Sequence, residues 1–447
     1  MDDLRAELGG GLITPEDPGY DDGRQVFFKG FDRHPLAVAR PVGSEDVSRV
    51  VSAARDAGLD LAVRSGGHSL GGFGTTDGGI VLDLSAMNAL EIDAEGRTAW
   101  AEPGVQAGEY TNATGEHGLA TGLGDAPSVG ISGITLVGGI GFLVRRNGLT
   151  IDDLLAAEVV TADGEIVQAS EESEPDLFWA IRGGGGNFGV VTRLKLRLHE
   201  ISEVVAGMLI LPATPEAILR YVETAEAAPE NLSAIAAIMI APPMPFVPEE
   251  AHGKPVLMVN LVYSGPTDKA DAAIAPFRAL AEPLADMVQP KRYPEIYEET
   301  PAAPNAATAN FFADAIDSAG AEAILEALQK STAMMKVAQI RVLGGAMARV
   351  PADATAFGNR DRRMMVHVAA MFPDAAERET HKGWADELAG VLSDGSPAGG
   401  YPGFLGPESE EKIRASYPGA TWDRLRDVKR GYDPDNLFHL NHNIPPA

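Results

Sequence analysis

The chain has 447 residues, 45% of them hydrophobic, with 64 acidic against 36 basic side chains and a formal net charge of −28; that is length enough for two domains of ordinary globular composition. This balance excludes a nucleic-acid backbone and an anionic membrane surface as partners, since both need clustered cations, and no run of eighteen apolar residues supplies a spanning helix. Without a single cysteine, disulfides, thiolate zinc, iron–sulfur clusters and thiol nucleophiles are excluded as well, and no metal is expected. The acidic start MDDLRAELGG lacks the basic-then-apolar pattern of an export signal, so a cytoplasmic protein is expected.

In chain order, Val47, Val50, Val51 and Ala54 fall at i, i+3, i+4 and i+7, which predicts a helix. Ser44 reads as its N-cap, Glu45 and Asp46 occupy the first turn, and Gly58 supplies the stop. Residues 61–63 read as a short buried strand running into RSGGHSLGGFG at 64–74. Glycines there let the backbone approach a ligand, while Arg64 and Ser65 add donors suited to phosphate or carbonyl oxygens. His68 lies inside this loop, where a lone histidine is more often a solvated turn residue. The pairs Glu95–Gly96 and Asp163–Gly164 each separate two strand-like runs, the signature of hairpins.

Gly130, Gly133, Gly138, Gly139 and Gly141 are too dense for a helix or strand interior. They also fail the spacing of a dinucleotide-binding fingerprint, which argues against NAD. Four successive glycines at 183–186 sit between regular segments, so close backbone packing is expected rather than a linker. Leu194, Leu196 and Leu198 alternate with Arg193, Lys195 and Arg197, a strand with one wet face. After about residue 205 alanine and proline dominate, as at 236–250 and 298–315, and these stretches read as loops. Helical pieces at 267–281 and 374–392 alternate with strand-like runs at 254–265 and 364–372, which suits an antiparallel sheet covered by helices.

The segments RSGGH (64–68), PSVGISGITLVGGIGFLVRRNGLTIDDLL (127–155), AEVVTADGEIVQAS (157–170), DLFWAIRGGGGNFGVVTRLKLRLHE (176–200) and YDPDNLFHLNHNIPP (432–446) together resemble one family. It is the FAD-linked oxidases of the vanillyl-alcohol-oxidase type, in the berberine-bridge-enzyme-like branch, and the resemblance spans nearly the whole chain. It implies an α+β, two-domain fold: a flavin-binding α+β domain over 1–203, an antiparallel-sheet substrate domain covered by helices over 204–405, and a segment over 406–447 returning to the first domain. It further implies that His68 is joined covalently to the 8α-methyl carbon of FAD. Many relatives carry a second, cysteinyl link, but Ala126 stands at that position here, so the tether is expected to be single.

The same resemblance places Arg64, Ser65, Gly66, Gly67 and Ser69 beside the cofactor with His68. From the second glycine segment it adds Val129, Gly130, Ser132, Gly133, Thr135, Gly138, Gly139 and Ile140, with Ser132 and Thr135 offering hydroxyls and backbone N–H groups cradling phosphate. Val191 and Asn441 complete the set. Valine at 129 implies an open path for oxygen. Tyr401, in GGYPGFLGPE at 399–408, matches a family tyrosine and is expected to be the catalytic base through a lowered pKa, although Pro402 and Gly403 depart from the family pattern beside it. His367 is the second candidate; it shares a strand face with Met365, Ala369 and Met371, and a core histidine fits equally well. The implied reaction is hydride transfer from an alcohol- or amine-type small molecule to flavin, with O₂ as acceptor and H₂O₂ as product. The low aromatic content of 6% argues against a stacking platform for oligosaccharides. A dehydrogenase with another acceptor, an oxygenase working through a flavin–oxygen adduct, and a flavin carrier without catalysis all stay open.

Overall fold

The computed structural model describes residues 2–298, 305–393 and 399–447; part of the alanine-proline stretch at 298–315, residues 299–304, lies outside them. Near the N-terminus, strands Leu12–Ile13, Ala37–Ala39, Ile80–Asp83 and Leu61–Arg64 form a sheet in that spatial order, the last three parallel. Helix Ser44–Ala57 covers this sheet and buries Val47, Val50, Val51 and Ala54 completely. The N-cap is Gly43 rather than Ser44, which is already the first helical residue. The neighbouring loops are held instead by Asp46, whose carboxylate accepts from the Gly9 and Val42 amides.

A second sheet runs Leu90–Asp93, Thr98–Ala101, Val190–Arg197, Leu154–Val160, Ile166–Ser170, antiparallel throughout. Both expected hairpins are present. In the first, Arg97 and not Gly96 takes the positive φ, at 50°, because the Gly96 amide is bound by the Asp93 carboxylate. Leu194 and Leu196 are fully buried, whereas Arg193 and Lys195 lie over the Trp100 ring on the outer face.

The third sheet is antiparallel and has eight strands, from Glu203–Pro212 to Met364–Phe372. Helices Pro215–Ala227, Ala270–Arg278, Ser318–Lys330 and Arg378–Leu392 bury one face of it in the largest core of the protein. The opposite face packs on the N-terminal region through Phe312, Met365, Ile140 and Tyr401, and through Ile235, Val262, Phe142 and Tyr293. Both faces of the strand Met364–Phe372 are therefore covered, which is why its sequence reads as a continuous apolar run instead of alternating. Helix Thr421–Tyr432 returns the chain to the first region, where Trp422, Leu425 and Val428 join the core of the second sheet. Among the described residues no helix is long and apolar enough to cross a membrane.

Candidate active site

Between the first region and the inner face of the eight-stranded sheet lies a cavity of about 590 Å³, within the usual range for a bound small molecule or cofactor. Two glycine loops form its floor. They approach so closely that a Cβ on Gly66 would lie 2.3 Å from the Gly130 nitrogen; only glycine allows that contact. Gly66, Gly67, His68, Ser69, Val129, Gly130, Ser132, Gly133 and Ile140 line the cavity, as do Val191 and Asn441.

His68 stacks on Phe27, with ring centroids 3.9 Å apart, and its Nε2 lies 3.0 Å from the Ser128 hydroxyl. Burial pushes the imidazole pKa down to about 4, so the ring is neutral at physiological pH. With Nε2 engaged, Nδ1 is the ring nitrogen that no protein group holds.

Several expected cofactor contacts have other duties. Arg64 and Ser65 reach the cavity wall, but the Arg64 guanidinium donates to the Gln25 and Gly23 carbonyls and pairs with Asp83 at 3.1 Å. The Ser65 hydroxyl donates to the Pro103 carbonyl. Thr135 is fully buried with its hydroxyl on the Ile131 carbonyl, 2.6 Å away, and does not line the cavity. Neither do Gly138 and Gly139. Their positive φ values, 126° and 80°, turn the chain beneath Phe357, Tyr401 and Thr150. These three residues shape the floor from below.

At the sheet end, register decides what meets. His367 pairs directly with Gln339 on one neighbouring strand and with Asn310 on the other, so all three share a face. His367 and Gln339 line the cavity together with Thr308, Val337, Arg341, Ala369 and Met371. Burial, reinforced by the nearby Arg341 charge, pushes the His367 pKa down to about 3. Its Nδ1 is buried without a hydrogen-bond partner.

Tyr401 also lines the cavity, but its phenol differs from the expectation. Burial raises its pKa to about 12, where a general base needed it lowered. The phenol oxygen accepts the Gly139 amide at 3.0 Å. Tyr401 therefore stays a neutral phenol and props the glycine turn.

Sequence reasoning passed over two wall residues. Asp125 and Arg341 form an ion pair at 2.5 Å, and Arg341 Nε donates to Gln339 at 2.9 Å. The signals existed: Asp125 is the one acid between Glu116 and Asp152, and Gln339 and Arg341 are polar residues two apart in the mostly apolar strand Met335–Val342.

Sequence comparison now gives the family. A model described as an FAD binding domain matches residues 35–170, and one described as berberine and berberine like matches residues 406–445. (R)-6-Hydroxynicotine oxidase of Paenarthrobacter nicotinovorans is 33% identical, over 98% of this chain and 97% of that protein. The chain belongs to the berberine-bridge-like FAD-linked oxidases. Among solved structures, 6-hydroxy-D-nicotine oxidase from Arthrobacter nicotinovorans superposes with a TM-score of 0.87 at 30% identity, covering 99% of each chain. Xylooligosaccharide oxidase from Myceliophthora thermophila superposes with a TM-score of 0.88 at 24% identity, covering 100% of this chain and 99% of that one, a likeness of fold.

The cavity fits FAD on its own evidence. Leu61, Val63, Leu84, Val190 and Phe438 give it an apolar end. Asn441 Oδ1 and His442 Nδ1 on its wall are buried without partners, and a Cβ at Gly133 or Gly186 would meet nothing within 4 Å. The protein is an FAD-dependent oxidoreductase.

Proposed function

We propose that this enzyme is an oxidase of small alcohols or amines, with FAD held by one covalent bond from His68 and with His367 as the proton acceptor. The observation that carries the reading is the meeting of two neutral imidazoles on the walls of one cavity: His68 on the glycine-loop side, and His367, with an unpaired buried nitrogen, on the facing sheet. Residues 1–203 and 406–447 hold the cofactor in this reading, and 204–405 hold the substrate. When bound, FAD supplies the hydride acceptor and passes the electrons to O₂, giving H₂O₂.

The chain's own residues do the rest. His68 would hold the 8α carbon of the cofactor through Nδ1, with Ser128 fixing the ring through Nε2. His367 accepts the substrate's hydroxyl or amine proton at the ring nitrogen that no protein group occupies. Tyr401, protonated throughout the working range, holds the Gly139 turn in place. Val129 keeps a compact side chain on the cavity wall, consistent with access for oxygen. The apolar walls exclude water from the reacting groups.

Oxygen uptake with a panel of primary and secondary alcohols and amines tests the reading, with H₂O₂ measured in the same samples. His367→Gln is expected to slow substrate reduction of the flavin by about 10²–10⁴, while Tyr401→Phe slows it less than about tenfold. The rate with alcohols is expected to be flat from about pH 6 to 9, because neither His367 nor Tyr401 titrates there. Slow reoxidation of the reduced enzyme in air would make it a dehydrogenase. A larger effect from Tyr401→Phe than from His367→Gln would return the base to Tyr401.

A further inference from the structure

The sheet wall that carries His367 continues past the cavity, whose lining on this sheet ends at Val337, Gln339 and Arg341. The row of paired residues His367 and Gln339 continues across the sheet through Ala237, Met258 and Ile210. One row along, Val337 pairs with Met239 and then Val256; on the other side, Arg341 leads to Ile235, Asn260 and Met208. Residues in one row face the same side, so the wall that carries His367 runs on as a face holding Ala237, Met239, Met258 and Met208. Met244 and Val247 from the loop after this sheet's Leu232–Ile240 strand, with Leu284 and Met287 at its edge, pack against that face. Met208, Met239, Met244 and Met287 are only partly buried there, and Phe246 beside them is 41% exposed. From Gln339 to Ile210 the row crosses three strand spacings, about 14 Å.

The polar groups at the inner end are largely matched to one another. Arg341 is paired with Asp125 and holds the Gln339 oxygen, and the Thr308 hydroxyl donates to the Phe404 carbonyl, which leaves His367 and the Gln339 amide nitrogen to meet a ligand. Beyond them the rows carry one polar side chain, Asn260. An oligosaccharide presents hydroxyls all round, and each one pressed on this face would lose its hydrogen bonds to water without replacement, at a cost of the order of 1–3 kcal/mol per group. Methionine side chains are soft and conform to varied apolar shapes.

We propose, resting on the oxidase reading above, that the substrate is an uncharged hydrophobic alcohol or amine: its oxidisable carbon lies at His367 and its apolar body lies on the methionine face. The occupant of this face is thus the tail of the substrate itself. Continuity of the sheet rows from His367 to Met239 and Met258 carries the assignment.

Binding without turnover separates this claim from the oxidase reading. Tertiary alcohols, dimethyl carbinols bearing ethyl to octyl chains, have no hydrogen on the carbinol carbon and resist oxidation, so their affinity for the holoenzyme is measured by calorimetry. Affinity is expected to rise about fourfold for each added methylene that is buried. Met239→Leu is expected to keep that slope, and Met239→Asp to flatten it, with both variants checked for an unchanged flavin spectrum and Tm. A flat series in the wild type would overturn the proposal, as would an unaltered slope in Met239→Asp. Xylo- or gluco-oligosaccharides binding more tightly with each added sugar would also overturn it. A dimer that dissociates on Met239→Asp in sedimentation would assign the face to a second copy of the chain.

Discussion

At the scale of single residues, the two histidines show how one side chain takes different roles from its setting. His68 is held at Nε2 by Ser128 and kept neutral by burial, and the proposed covalent link uses its Nδ1. Acid-precipitated wild-type protein is accordingly expected to keep its yellow colour and to carry the mass of one FAD, while His68→Ala releases its flavin to the supernatant. Free FAD from the wild type would remove the covalent link. His68 was legible in the sequence because its glycine-rich surroundings are local and the family motif is contiguous. Asp125 and Arg341 were not, because their ion pair joins residues 216 positions apart and neither neighbourhood advertises the other. Tyr401 was legible as a cavity residue but not in its charge state: the motif gives its position, and only the burial reveals that the pKa rises.

At the scale of elements, the amphipathic helix Ser44–Ala57 and both hairpins could be read from periodicity, since each has one wet side. The strand Met364–Phe372 is covered on both faces, so periodicity could not say which of its residues look into the cavity; register against Gln339 and Asn310 decides that. The C-terminal return hides a similar non-local element. Lys429 and Asp433, both fully buried, pair at 2.6 Å. Lys429 also donates to the carbonyls of Asn187 and Phe438, and Asp433 accepts from the Leu437 and Phe438 amides. This pair ties helix Thr421–Tyr432 to the glycine loop at 184–187 and to the segment bearing Asn441, both on the cavity wall. Lys429→Met leaves a buried carboxylate without its cation, which costs about 3–5 kcal/mol. Urea unfolding should show that loss, and Lys429→Met/Asp433→Asn should recover part of it by removing the stranded charge. A loss below about 1 kcal/mol in the single variant would show that the pair does not anchor the return.

At the scale of the whole molecule, two electrostatic effects oppose each other as pH falls. The net charge of −28 repels itself, and protonating carboxylates relieves that strain, but chiefly near their own pKa values of about 4. His68, His367 and His442 act earlier. Burial lowers them to about 4, about 3 and about 4, against about 6.5 in an unfolded chain. Below about pH 6.5 the unfolded state therefore takes up protons that the folded state refuses, and stability present at neutral pH is lost progressively as pH falls toward 4. At pH 5.5 each histidine accounts for about 1.4 kcal/mol and the three together for about 4 kcal/mol, before the carboxylates have released much repulsion. The melting temperature is thus expected to drop between about pH 7 and 5.5. Because these imidazoles are buried, 0.5 M salt should leave the drop nearly intact while weakening the surface repulsion. His442→Gln should remove about a third of the slope, and a melting temperature constant across that interval in the wild type would show that these histidines gain protons without unfolding the site.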